Sequence, residues 1–332
     1  MKLTRSGQPA PLEPPSNVQG AVVILRRHGQ VGNPAHGRIA PVVNANRVLY
    51  YPEMPPIVAC HTNSYGHLGG AAAIEGIRAA GLEYVEFPIR RAGFRSRTGA
   101  PPLVTTESTL AGLRSVERLL EGHGVRVASC TCMAGNPLQE AVVAVMRRQL
   151  DMASHFGVKF VVADAGAAGD DDELARIYAN LNRIGDYAAK LGITVCFETH
   201  HGLCVNHREM RQIMADLAHP NLQLNFDTGN IVYYNEDICG EVALAKVCHL
   251  VKHLHLKDSS GRFADWNFPA LGSGGGVDFL RVYQIMRDCG FRGPYSIEIE
   301  GIADEPELSL AAYQQRVVES VEYLRTLGYF DG

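Results

Sequence analysis

The chain has 332 residues and a formal net charge of −4, with 46% hydrophobic and 20% charged residues. That length can bury a large core in one domain, because α/β barrels commonly run to about 200–250 residues or more. The acidic balance gives no whole-chain attraction to nucleic acid or an anionic membrane, and no apolar run approaches the ~20 residues a membrane span needs.

Residues 1–55 read as an arm without a core of its own. Met1-Lys-Leu-Thr-Arg5 leads directly into Pro9, Pro11, Pro14 and Pro15, with no signal-peptide apolar stretch, so a cytoplasmic location is expected. Ala21–Leu25 and Arg47–Tyr51 are β-prone runs around a Gly/Pro/Asn-rich stretch, which predicts a hairpin that caps the remainder or contacts another subunit. The eight cysteines sit mostly in apolar runs and form no CxxC pair. They read as small hydrophobes in a reducing compartment, with Cys130 and Cys132 on one strand face.

From residue 56 the pattern becomes regular. Strands are predicted at Ile57–His61, Tyr84–Phe87, Val125–Cys130, Lys159–Asp164, Ile193–Phe197, Leu222–Asp227, Val251–His255 and Tyr295–Glu298. Helices are predicted after each: Gly69–Ala80, Thr105 or Thr106 (as cap) to Glu121, Leu138–Phe156, Asp170–Lys190, Asn206–Leu217, Ile238–Val247, Asp278–Cys289 and Leu308–Leu327. Asp170-Asp-Asp172 supplies a cap and an acidic first turn that suit the helix dipole. Eight strand-then-helix units predict an α/β fold, a (β/α)8 TIM barrel over 56–332 with an N-terminal extension. No GxGxxG follows the first strand, which weighs against a Rossmann nucleotide site.

In such a barrel the catalytic groups lie at the carboxyl ends of the strands. Strands five to eight end on Glu198, Asp227, His255 with Asp258, and Glu298 with Glu300. Carboxylates and imidazole without thiolate suit Mn, Co, Mg, Fe or Zn in a catalytic rather than a structural zinc site. The plainer reading of each carboxylate is a cap for the helix after its strand. His253 and His255 share a face by period two, and His255 is nearer the loop, so His253 is expected to pack beneath it. Glu298 and Glu300 pose the same choice.

Phe197-Glu198-Thr-His200, Phe226-Asp227-Thr-Gly-Asn230, His253-Leu-His255-Leu-Lys-Asp258, Leu271-Gly-Ser-Gly274-Gly-Gly-Val-Asp278-Phe and Ser296-Ile-Glu298 occur in order at barrel spacing. In combination they make residues 56–327 resemble the xylose-isomerase-like barrel superfamily, the sugar isomerase/epimerase group. The resemblance implies that Glu198, Asp227, His255 and Glu298 hold a divalent metal, with Mn foremost. It also implies that Glu198 and Glu298 move protons on opposite faces of the substrate. His200 would contact substrate oxygens. The sequence departs from the group's epimerases at two substrate positions: Asn230 stands where they carry His, and Gly261 where they carry Arg, with Arg262 one further on.

Further candidates for substrate contact are His61, Glu86, Asn230, Asp258, Arg262 and Trp266. Gly272-Ser-Gly274-Gly-Gly276 has the look of a phosphate cradle. Arg90, Arg91, Arg95 and Arg97 fill the loop after strand two. Trp266, with Phe263 and Phe268, could form an aromatic lid over a sugar or flat ring. The reaction expected first is proton abstraction α to a carbonyl on a sugar or cyclitol, giving isomerisation or epimerisation. A lyase or dehydratase running the same enolate chemistry is the alternative. C-glycoside deglycosidases of this superfamily are one case, and they work with a small β-rich partner subunit. A homo-oligomer is expected. An endonuclease IV-like DNA repair enzyme and a non-catalytic binding barrel are the remaining readings.

Overall fold

The computed structural model describes residues 55–94 and 100–331. The hairpin expected in the N-terminal arm, and Arg95 and Arg97, lie outside the described residues. No described helix is long and apolar enough to cross a membrane.

The strand β1 (Val58–His61) is followed by β2 (Tyr84–Arg90), β3 (Arg126–Thr131) and β4 (Phe160–Ala163). The second half contributes β5 (Thr194–Glu198), β6 (Leu222–Asp227), β7 (Val251–Leu256) and β8 (Tyr295–Ile297). Neighbours in sequence are neighbours in space, all these pairings are parallel, and β1 pairs with both β2 and β8. The result is a closed parallel barrel, the (β/α)8 architecture that the alternating pattern predicts.

The helices covering it are α1 (Gly69–Ala79), α2 (Leu110–His123), α3 (Glu140–His155) and α4 (Asp171–Leu191), then α5 (His207–Leu217), α6 (Gly240–Val247), α7 (Phe279–Asp288) and α8 (Leu310–Thr326). Each buries one stripe. In α4 the buried positions include Ile177, Leu181, Ile184 and Ala188, three or four residues apart. Each of the Ile and Leu side chains among them contributes ~1.5–3 kcal/mol when fully buried. Short polar residues fix the starts: Asp170, Asn206, Asp278 and Ser309 each accept a backbone N–H of the first turn. The start of α2 differs from expectation. Thr109 is its cap, while Thr105 belongs to a two-residue strand that pairs with the end of β2. Thr105 and Thr106 have the right chemistry, but strand pairing claims that stretch first.

The cysteine reading is corrected at one pair. Cys248 and Cys289, at the ends of α6 and α7, are joined in a disulfide. Cys60, Cys130, Cys132, Cys196 and Cys204 are buried free thiols, as a hydrophobe reading expects.

The barrel axis is unusually polar below its mouth. His61, Glu86, Ser129, Asn225, His253 and Ser296 are all fully buried, where barrels of this type more often carry branched aliphatics. Period-two alternation puts Asn225 with Asp227, and His253 with His255, on the inner face. A register irregularity between Leu224 and Asn225 brings Asn225 opposite His253 and Asp227 opposite His255. The apolar core therefore lies between barrel and helices, and the interior is left for chemistry.

The helix starts can be tested directly. Asp170→Ala removes the acceptor for the Glu173 N–H and should cost ~1 kcal/mol, read as a lower urea midpoint at unchanged slope.

Candidate metal centre

Glu198 and Asp227 are the last residues of β5 and β6, His255 lies one residue from the end of β7, and Glu298 follows β8 directly. The barrel thus brings four side chains from four strands to one point. One donor atom from each lies within 4.8 Å of the others. All four residues are buried, Asp227 completely.

Local bonds aim them. Asp227 Oδ1 accepts the N–H groups of Gly229 and Asn230, both at 2.8 Å, which turns Oδ2 into the cluster. Asp227 Oδ2 is buried with no hydrogen-bond partner. His255 is fixed from below: its Nε2 lies 3.2–3.3 Å from both carboxylate oxygens of Glu86. Its Nδ1 faces Glu198 Oε1 at 3.2 Å, Glu298 Oε2 at 3.5 Å and Asp227 Oδ2 at 3.7 Å. Asn225 links the layers, with Oδ1 2.9 Å from His253 Nδ1 and Nδ2 3.1 Å from His255 Nδ1. Glu86 thus holds Nε2 from below, and Nδ1 is turned to the three carboxylates of the cluster.

This donor set fits a divalent cation. Three carboxylates and one imidazole nitrogen suit a hard or borderline ion, and one of those carboxylate oxygens, Asp227 Oδ2, has no hydrogen bond. Such an oxygen is costly to bury unpaired.

The electrostatics separate the two glutamates. Burial pushes the Glu198 carboxyl up, against the opposing pull of His255. Burial acts the same way on Glu298, but the Lys257 ammonium, followed by His255, outweighs it and holds that carboxyl below the ordinary range. Burial opposes charge on His255, and Glu86 and then Glu298 overcome it, so the ring is held well above the usual imidazole range. His253 is the opposite case: burial dominates and drives it down to about 3, a neutral ring bonded to Ser129 and Asn225.

A cavity of about 800 Å³ opens above the cluster. His61, His200, Asn230 and Trp266 line it, as do Glu198, His255, Glu298 and Glu300. His61 Nε2 is 3.1 Å from Thr131 Oγ1. His200 Nδ1 lies 3.6 Å from Asp164 Oδ2. Asn230 donates to the Thr199 carbonyl at 3.0 Å. Three other candidates stand elsewhere. Glu86 is beneath His255 rather than in the cavity wall, bonded to Thr131 and the imidazole. Arg262 is exposed and pairs with Asp265 at 2.9 Å. Asp258 turns into the glycine-rich loop and accepts the N–H groups of Ser259 and Gly272 at 2.9 and 3.0 Å. A Cβ at Gly275 would land on this carboxylate. The loop that resembles a phosphate cradle is thus filled by the chain's own anion. Arg90, at the end of β2, lines the cavity; Phe263 is exposed and Phe268 buried.

Sequence reasoning passed over Lys257. It is 2% exposed, and its ammonium reaches Glu300, Glu298 at 3.2 Å, Asn230 Oδ1 at 3.2 Å and Asp227 at 3.5 Å. The signal was there. Lys257 continues the period-two face of His253 and His255. Tyr234, which lines the cavity beside His200 with ring centroids 5.1 Å apart, carried no comparable signal.

A barrel with acidic and imidazole side chains converging at its mouth defines a class, and the sequence falls within it. The model of the family described as xylose isomerase-like TIM barrel matches residues 74–327, and the chain belongs to that family. Among curated relatives, inosose dehydratase of Geobacillus thermodenitrificans is 28% identical over 236 residues, spanning 60% of this chain and 78% of that protein. Inosose dehydratase of Clostridium perfringens is 28% identical over 162 residues, 43% of this chain and 54% of its own length. Solved structures share the fold. A xylose isomerase-like protein of Mycobacterium smegmatis in complex with magnesium has a TM-score of 0.64 at 18% identity, covering 82% of this chain and 96% of that one. D-allulose 3-epimerase of Methylomonas sp. has a TM-score of 0.62 at 18% identity, covering 82% and 98%.

Asp258 yields a sharp test of the loop. Asp258→Ala strips the acceptor from the buried Ser259 N–H and the part-buried Gly272 N–H and should cost about 1–3 kcal/mol, measured by denaturant unfolding. Arg262→Ala, which removes an exposed pair, should cost less than about 1 kcal/mol.

Proposed function

We propose that the chain is a divalent-metal enzyme that removes the proton next to a carbonyl of a sugar or cyclitol. One observation carries the reading: four strand ends deliver Glu198, Asp227, His255 and Glu298 to one point, with Asp227 Oδ2 left free of hydrogen bonds. A cation held by these residues, Mn²⁺ foremost with Mg²⁺, Co²⁺, Fe²⁺ or Zn²⁺ as alternatives, supplies Lewis-acid polarisation of the carbonyl oxygen.

The residues then divide the work. Glu298, kept ionised by Lys257, is the base. Glu198, the other glutamate of the cluster, is the partner that returns or donates a proton. His200 and Asn230 orient substrate hydroxyls, while Trp266 and Tyr234 supply an aromatic wall.

The relatives named inosose dehydratase support elimination, in which the hydroxyl β to the carbonyl leaves with the Glu198 proton. That changes the order expected from sequence, where isomerisation stood first. Epimerisation is the second reading, favoured by the Glu198–Glu298 pair, which could exchange a proton across the substrate. The cavity of about 800 Å³ also has room for a 3-oxo-glycoside whose aglycone leaves in place of water. That version brings with it the small β-rich partner subunit, which co-purification would detect. The acidic balance of the chain does not support a DNA repair role. We place the protein in the cytoplasm as a homo-oligomer on the same reading.

Incubation with keto-inositols, keto-sugars and 3-oxo-glycosides in deuterated water, followed by NMR, separates the outcomes. Loss of water or aglycone marks a lyase; deuterium in an otherwise intact ketose marks an epimerase. Chelation should abolish turnover and Mn²⁺ restore it. Glu298→Gln should lower kcat by roughly 10²–10⁴-fold. Full turnover in metal-stripped protein would overturn the reading.

A further inference from the structure

Lys257 is a buried ammonium placed among the candidate ligands. Its stem runs through a slot left open by Gly229, where a Cβ would fall 2.9 Å from Lys257 Cγ. Its Nζ stands 4.6 Å from the centre of the Phe268 ring. The slot and the ring hold the charge in place, so it is not a side chain that strayed inward.

What it touches is informative. Nζ contacts Glu298 Oε2 at 3.2 Å and Asp227 Oδ2 at 3.5 Å. Those same two oxygens face His255 Nδ1. A cation bound to the four residues would therefore need the oxygens that Lys257 already approaches. The other contacts, Glu300 Oε2 and Asn230 Oδ1, lie outside the ligand set. Four acceptors surround an ammonium that has three N–H donors, and Asp227 Oδ2 is the one left without a hydrogen bond.

We propose that Lys257 is a built-in counter-ion of the ligand carboxylates, competing with the divalent cation for Asp227 and Glu298 and so limiting how tightly the centre binds metal. Glu300 is its outer tether, drawing the ammonium away from the ligands. The inference rests on the metal reading above. It differs from an ordinary structural role in sign: deleting a structural lysine loosens a metal site, whereas deleting a competitor tightens it.

The test is metal affinity, independent of turnover. Full-length wild type, Lys257→Met and Glu300→Gln are stripped with chelator and titrated with Mn²⁺ by calorimetry. Thermal unfolding is followed with and without the ion. Lys257→Met should bind Mn²⁺ roughly ten- to a hundred-fold more tightly, since a unit charge a few ångströms from the ion is removed from a poorly screened site. Its metal-free form should melt below wild type, and its Tm should rise more on adding Mn²⁺. Glu300→Gln, which frees the ammonium for the ligands, should bind more weakly than wild type. Lys257→Met/Glu300→Gln leaves no unpaired carboxylate at residue 300, guards against a folding defect, and should still bind more tightly than wild type.

Wild type that binds Mn²⁺, together with both Lys257 variants binding it equally or more weakly, overturns the inference and spares the metal reading. Binding by the Lys257 variants alone would be the strongest form of the competition. Absence of binding in every protein would sink the metal reading and this inference with it.

Discussion

The structure depends on burying excess negative charge at a barrel mouth. Glu86, Glu198, Asp227 and Glu298 are all at most 6% exposed, and Glu300 stands beside them. Isolated carboxylates in such a place would take up protons or disrupt the fold. Here they are held by a small number of positive or proton-donating groups: His255 between Glu86 and the upper cluster, and Lys257 between the cluster and Glu300. Everything near the mouth is arranged around those two side chains.

The polar layer below the mouth follows from the same constraint. A ring at His255 that must keep Nδ1 turned upward needs a fixed partner on Nε2, and Glu86 provides it. Glu86 in turn accepts from Thr131, while His253 is held neutral between Ser129 and Asn225. A half-satisfied network in this position would be worse than an apolar one. The barrel gives up aliphatic packing on its axis to orient one imidazole. Its stability comes from elsewhere, the shell between strands and helices, where the large apolar side chains are buried.

The mouth is shaped by loops that spend their own polar groups on one another. Asp258 fills the glycine-rich loop, Thr228 bridges to the Lys257 carbonyl, and Asn230 ties the β5 and β6 ends together. These bonds keep the cavity wall fixed while leaving its face to His61, His200, Tyr234 and Trp266. Fold and site are thus linked through the strand ends.

The alternation of apolar strands and amphipathic helices determined the barrel by itself, because period and order leave few other ways to bury those faces. The acidic and imidazole residues at strand ends were equally legible, since a strand end in a barrel has one direction to point. The cap at Asp170 was read correctly from local chemistry; the start of α2 was not, because a tertiary strand pairing at Thr105 overrode it. Only the tertiary structure decided which polar residues face the cavity. Asp258 and Glu86 sit in sequence where a ligand or substrate contact would sit, yet one caps a loop and the other supports an imidazole from beneath. It also decided that Cys248 meets Cys289, and that Lys257 comes to rest among the carboxylates. Sequence carries direction along a strand, but the balance of charge within a buried pocket depends on groups brought together from strands far apart in the chain.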